Sequence, residues 1–131
     1  MEIRDFQLIM AGMIAARHPA GDGHPFVVAL ATRQKEDVIV ALLHDSLEDG
    51  YSDVEELKSY FDSDIVDDVI TLSKQPEEKY FDYVKHVKRM GGRPLRVKIL
   101  DAKINYNRCK MRGDSLIRRY EKALKILEEQ V

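Results

Sequence analysis

The chain predicts an all-α protein, a compact helical bundle of seven or eight short helices. Three observations carry that prediction. Apolar residues recur at intervals of three and four through most of the sequence, the breaks between these runs fall on glycine and proline, and no repeat or low-complexity tract interrupts them. The 131 residues suffice for one domain with a real core, taken as 1–131, and are too few for two typical ones.

Phe6, Ile9, Met10, Met13 and Ile14 predict an amphipathic helix from residue 4 to about 17, ended by Pro19, Gly21, Asp22 and Gly23. His24 and Pro25 open the next helix, where proline is tolerated in the first turn. Its expected buried side is Phe26, Val27, Leu30 and Ala31. A helix over about 36–46 follows, with Gly50 breaking the chain. Ser52 and Glu55 suit a reciprocal cap for a helix over 53–60. Ile65, Val66, Val69, Ile70 and Leu72 make the stripe of a helix over 63–73, and Lys74 to Glu78 form a loop around Pro76. Tyr80, Phe81, Val84 and Val87 mark a helix ending near Gly91-Gly92. Pro94 starts another, with Leu95, Val97, Ile99, Leu100 and Ile104 inward. After a link at Met111 to Asp114, Leu116, Ile117, Tyr120, Leu124 and Leu127 give the last helix its packing face.

Composition narrows the function. Hydrophobic residues make up 44% and charged residues 34%, with a formal net charge of −2, so no global field favours DNA, RNA or an anionic membrane. The basic runs from Lys85 to Lys98 and from Arg108 to Arg119 are expected to face solvent or to meet a small anion. Cys109 is the sole cysteine, which excludes an intrachain disulfide and fits a reducing compartment. No apolar stretch is long enough to span a bilayer, and MEIRDF lacks the apolar centre of a secretion signal, so a cytoplasmic location is expected. The last helix has apolar positions enough to pack within the chain or against another copy, so a homo-oligomer stays open.

The chemistry concentrates in LLHDSLED, residues 42–49, where His44, Asp45, Glu48 and Asp49 crowd the end of an apolar run. Buried charge is costly unless it is paired or bound to metal. His24 at a helix start and Asp101 inside the apolar VKILDAKI are the other candidate ligands. Taken singly each has a plain alternative: a helix cap for His24, an ion pair with Arg96 or Lys98 for Asp101. Together, His24, His44, Asp45 and Asp101 make a mixed imidazole and carboxylate set. Such a set suits divalent manganese, iron, zinc, cobalt or nickel better than magnesium. Glu48 and Asp49 lie about one helical turn beyond His44-Asp45, a reach suited to orienting and deprotonating water. Asn105 stands four residues after Asp101 on the same face, where its amide can donate to a phosphate oxygen. Arg17 and Lys74 are candidate anion contacts, and His18 is expected near the mouth of the site.

This pattern resembles the metal-binding signature of the HD superfamily of phosphohydrolases. VALLHDSLED, residues 40–49, is similar to the AALLHDxxED run of the hydrolase domain of bacterial RelA/SpoT proteins and their small stand-alone relatives. His24-Pro25, Thr71 to Lys74, and Lys98 to Asp101 with Asn105 match further segments of that family, and the similarity covers roughly residues 5–125. The resemblance implies an HD-domain bundle in which His24, His44, Asp45 and Asp101 hold one ion, usually manganese. It implies that Glu48 and Asp49 position and activate water, with Asn105 near the reacting phosphate. The implied reaction removes the 3′-pyrophosphate of guanosine tetra- or pentaphosphate, a small-molecule nucleotide. Relatives carry a longer stretch before the His-Pro, with an arginine–lysine pair that contacts the nucleotide. Here that stretch is RHPAGDG, residues 17–23, and the pair is missing. The reading is therefore an intact metal centre with altered nucleotide recognition. Hydrolysis of another nucleotide or phosphomonoester, or a non-catalytic nucleotide sensor, are the alternatives.

Overall fold

The computed structural model describes residues 2–129, and among them are eight α-helices and no strand. In chain order these are α1 (Ile3–Ala15), α2 (His24–Ala31), α3 (Lys35–Leu43), α4 (Val54–Tyr60), α5 (Ser63–Leu72), α6 (Tyr80–Met90), α7 (Gly92–Arg112) and α8 (Ile117–Glu128). The all-α prediction holds. α7 departs from it in length: its 21 residues make one long helix that runs through the middle of the bundle. It packs against α2, α3, α5, α6 and α8. Pro94 sits in its first turn, where a missing N–H costs no intrahelical bond.

The core is one continuous cluster that includes Ile14, Val28, Val40, Leu43, Leu57, Val66, Val69, Val84, Val87, Val97 and Leu127. Each such side chain contributes about 1.5–3 kcal/mol when buried. Ile65, Val66, Val69 and Leu72 form the inward stripe of α5 as its spacing predicts, while Ile70 lies at the flank and is exposed.

Three faces differ from expectation. In α1 the buried side is Gln7, Ala11, Ile14 and Ala15, and Phe6, Ile9 and Met13 stay exposed. Two alanines let α1 lie close against α3, which pushes the bulky residues to the flanks. In α2 the buried residues are His24, Pro25 and Val28, whereas Phe26, Val27, Leu30 and Ala31 face outward. The helix is turned so that its first residue points at α7. In α8 the buried residues are Ala123 and Leu127, and Leu116 is exposed.

Local signals also shift by a residue or two. Asp53 caps α4, its carboxylate accepting the Glu56 N–H at 2.8 Å, while Ser52 donates its hydroxyl to the Glu56 carboxylate at 2.7 Å. The expected Ser52–Glu55 box thus moves one position along the chain. Gly23, with φ of 71°, precedes α2 in the left-handed region. A side chain there would cost roughly 1–2 kcal/mol, so glycine is what allows His24 to start its helix in this orientation.

α3 is locked to α7 by a buried charge. Asp37 is 2% exposed, and Arg96 donates to both of its carboxylate oxygens at 2.9 Å. Removing Arg96 would leave the Asp37 carboxylate buried and unpaired, the costly way to break such a pair, whereas Arg96 itself is partly exposed and also bonds Glu36. Arg96 is thereby unavailable to Asp101, which pairs with Lys98 instead.

Candidate metal centre and its cleft

α3 ends at Leu43, and the segment His44 to Gly50 continues as a series of turns rather than as the helix expected to residue 46. The His44 N–H reaches Ala41, the Ser46 N–H reaches Leu43 and the Gly50 N–H reaches Leu47, all three residues back. Tightening the chain in this way fans out side chains that a regular helix would stack. His44 is driven inward, Asp45 stands at the boundary, and Glu48 and Asp49 reach the lip. α2 and α7 supply the facing residues. Along α7, Lys98, Asp101, Asn105 and Arg108 recur at intervals of three and four, so one polar stripe of this central helix faces the HDSLED turns.

These elements enclose a cleft of about 330 Å³ whose walls include His24, Asp45, Glu48, Asp49, Lys74, Lys98, Asp101 and Asn105. At its inner end His24, His44 and Asp45 each bring a ligand atom within 4.8 Å of the others, a group that could hold a metal ion. The orientation of His44 favours this. Its Nδ1 lies 2.6 Å from the Ala41 carbonyl oxygen, which can only accept, so Nδ1 carries the proton. Nε2 is left buried with no hydrogen-bond partner. An anchored Nδ1–H and an open Nε2 are how a metal-binding histidine is usually held. Asp45 Oδ2 lies 3.2 Å from that Nε2. Burial works to lower the His44 pKa, but Asp45 and Asp101 together hold it well above the ordinary imidazole value. Nitrogen and carboxylate donors in this mixture fit a first-row divalent ion.

Asp101 adjoins the group from α7. Its Oδ1 is 2.6 Å from His24 Nε2 and 3.5 Å from His44 Nε2, and it accepts the Asn105 amide at 3.1 Å. Its Oδ2 accepts from the buried Lys98 ammonium at 3.1 Å. Burial alone would raise this carboxyl. Lys98 foremost, then the two imidazoles, reverse that and hold it well below the usual carboxylate range. Lys98 is itself raised well above its ordinary value: burial opposes its charge, and Asp101 with the tyrosines Tyr83 and Tyr80 outweighs burial.

His24 presents a second tautomer question. Arg108 Nη1 lies 3.1 Å from its Nδ1, and a guanidinium can only donate. Nδ1 is then the acceptor, and Nε2–H donates to Asp101. The same guanidinium reaches Asp22, 3.4 Å away.

The acidic residues at the lip are held differently. Glu48 Oε1 accepts the Lys74 backbone N–H at 2.8 Å, and Oε2 has no hydrogen bond among the described residues. Burial pushes its pKa up against the opposing pull of that N–H and of Lys98. Asp49 is likewise raised, by burial and then by the nearby Asp45 charge. The Lys74 ammonium is turned to the carbonyls of Gln75 and Glu78, at 2.9 and 3.0 Å, and so ties its own loop.

Not every candidate comes to the cleft. Arg17 is spent on Glu56, making two hydrogen bonds of 2.7 and 3.1 Å, and on the Tyr51 carbonyl. His18 does come in: its Nε2 is 3.5 Å from Asp45 and 3.7 Å from Asp49, forming a second His–Asp–Asp group. Its Nδ1 accepts the Ala20 N–H, so Nε2 carries the proton toward the carboxylates. Sequence reasoning gave Arg108 only a weaker claim beyond Asn105 and passed over Arg119 and Tyr80 as cleft residues. The interval from Lys98 to Arg108 could have signalled the first; the other two depend on how α8 lies over α6. No helix among the described residues is long and apolar enough to cross a membrane. Comparison of the chain with protein-family models and with curated proteins finds no match.

Proposed function

We propose that the protein is a metal-dependent phosphohydrolase of nucleotides, with removal of a 3′-pyrophosphate from guanosine tetra- or pentaphosphate as the first reaction to test. The observation that carries the reading is His44 Nε2, buried and without a hydrogen bond though Asp45 and Asp101 approach it, at the inner end of a cleft that Glu48 and Asp49 also line. His24, His44 and Asp45 would hold the ion, and Asp101 adjoins them as the fourth ligand. Manganese is the ion the resemblance implies and the first to test, with zinc, iron, cobalt and nickel also suited to these donors. When bound, a divalent ion supplies Lewis acidity to phosphoryl oxygens and acidity to a bound water.

The chain's own groups supply the rest. Glu48 is fixed through Oε1 by the Lys74 N–H and keeps Oε2 for a proton. A carboxylate raised toward neutrality by burial is a better base than an ordinary one. Asp49 stands beside it with a raised pKa of its own, suited to share that proton. Lys98 offsets the charge of Asp101 and fixes its orientation. Asn105 holds Asp101 through its amide and lies on the wall where a phosphate would enter.

The test is release of phosphate or pyrophosphate from a nucleotide panel by protein loaded with manganese. Product from the guanosine 3′-pyrophosphates supports the first reading, and no product from any nucleotide sinks the hydrolase reading altogether. One observation favours a second reading, hydrolysis of a different nucleotide. Arg17 is bound to Glu56, away from the cleft lining, so the short segment 17–23 offers no cation of the kind an arginine–lysine pair would provide.

A further inference from the structure

The cleft has a second wall with chemistry opposite to that of its metal end. α8 lies across α6 and α7 and brings Arg119 over the ring of Tyr80, with the guanidinium carbon 5.0 Å from the ring centroid. The Arg119 guanidinium makes no ion pair or hydrogen bond among the described residues, unlike those of Arg17, Arg93 and Arg96, each of which is tied to a carboxylate. The Tyr80 hydroxyl is buried and has no hydrogen-bond partner, although the residue lines the cleft. A buried hydroxyl left unpaired costs about 1–3 kcal/mol, so its donor is unused until something enters. Burial also keeps that phenol protonated and therefore a donor. Two donors, one cationic and one neutral, thus belong to one cation–π pair on the cleft wall, with no side-chain hydrogen bond to an acceptor among the described residues.

We propose that Arg119 and Tyr80 form an anion subsite that takes a second phosphoryl group of the substrate, separate from the one held at the His24–His44–Asp45 end. The proposal rests on the hydrolase reading for the word substrate; the anion site itself stands on the Arg119 and Tyr80 geometry. The aromatic face holds the guanidinium by cation–π attraction, which fixes its plane without neutralising it. A phosphoryl oxygen can then accept from both groups, and the charged bond is the stronger. In the absence of metal the metal end repels anions, since Asp45 and Asp101 lie there and Glu48 and Asp49 stand at its lip. The subsite is therefore testable alone. It also implies a preference for nucleotides with phosphate at two positions over nucleotides with one.

The test titrates metal-free protein with inorganic phosphate, observed through the arginine side-chain N–H resonances. Arg119 is expected to shift and saturate. Arg119→Gln should weaken phosphate binding about tenfold, the equivalent of one charge-assisted hydrogen bond. Tyr80→Phe keeps the ring and loses only the hydroxyl, so it should weaken binding less while Arg119 still shifts. Arg118→Gln, on the same helix but outside the cleft lining, is expected to bind as wild type. Equal binding by wild type and Arg119→Gln, or an equal loss in Arg118→Gln, overturns the subsite. If turnover is found, Arg119→Gln should raise KM for a nucleoside bisphosphate and leave KM for the monophosphate unchanged; equal effects on both overturn the assignment to a second phosphoryl group. Phosphate binding at Arg119 without hydrolysis of any nucleotide would retain the anion site and reject the hydrolase reading.

Discussion

His44 donates Nδ1–H to the carbonyl oxygen of Ala41 across 2.6 Å, within the turn that ends α3. That one bond decides which ring nitrogen faces the cleft and which proton it can lose. Changes to groups supporting a ligand cost about 10–100-fold in metal affinity, and loss of the ligand itself should cost more. His44→Ala is therefore expected to reduce manganese affinity by more than about a hundredfold, measured by calorimetry. Binding to the wild type should release a proton and weaken as pH falls, because the ion competes with the proton that Asp45 and Asp101 favour on His44. Retention of full affinity by His44→Ala would remove the residue from the ligand set.

Arg108 is expected to oppose metal binding. Its guanidinium keeps His24 in the tautomer with Nε2 protonated and places a positive charge 3.1 Å from the ring. Arg108→Met should tighten manganese binding by about tenfold, the worth of one charge-assisted hydrogen bond to the metal-free state. Weaker binding in this variant would mean that Arg108 supports the loaded site.

Glu48 separates chemistry from folding. Its pKa is raised in the folded protein, so its contribution to stability is present at low pH and is lost as pH rises through the folded value. At neutral pH the ionised side chain is a cost. Glu48→Gln should then melt at or above the wild-type temperature, bind manganese as wild type, and lose about 10²–10⁴-fold in kcat. A variant that melts lower and loses metal together would point to a structural role.

Asp101 has the opposite sign. Its carboxyl is depressed, so the stability it contributes is present above the unfolded carboxylate value near 4 and is lost as pH falls through the folded value. In metal-free protein the stability gap between wild type and Asp101→Asn should be widest at neutral pH and narrow on acidification, followed by urea unfolding. A gap independent of pH would contradict the Asp101–Lys98 pairing as its source. The asparagine is the better probe than alanine, since it keeps an acceptor for the buried Lys98.

The legibility of this protein was uneven, and the reasons are physical. Periodicity revealed the helices because a 3.6-residue repeat is a local property, and the α5 stripe fell where its spacing put it. It did not reveal which face of α1 or α2 is buried. Small residues at Ala11 and Ala15 let helices approach and displace Phe6, Ile9 and Met13, and only neighbouring elements decide that. His24, His44, Asp45 and Asp101 could be singled out because charge beside apolar residues needs a reason, and they do come together.

The sequence by itself determined the helical class and the polar residues that had to find partners, since hydrophobic spacing and the cost of buried charge are written in residue order. Only the tertiary structure decided who those partners are. Lys98 rather than Arg96 neutralises Asp101, because Arg96 is held by Asp37 across the α3–α7 contact. Arg17 is drawn to Glu56, while Arg119 is carried by α8 onto Tyr80. Pairings over dozens of residues depend on the relative placement of packed helices, which the order of residues along one helix does not specify.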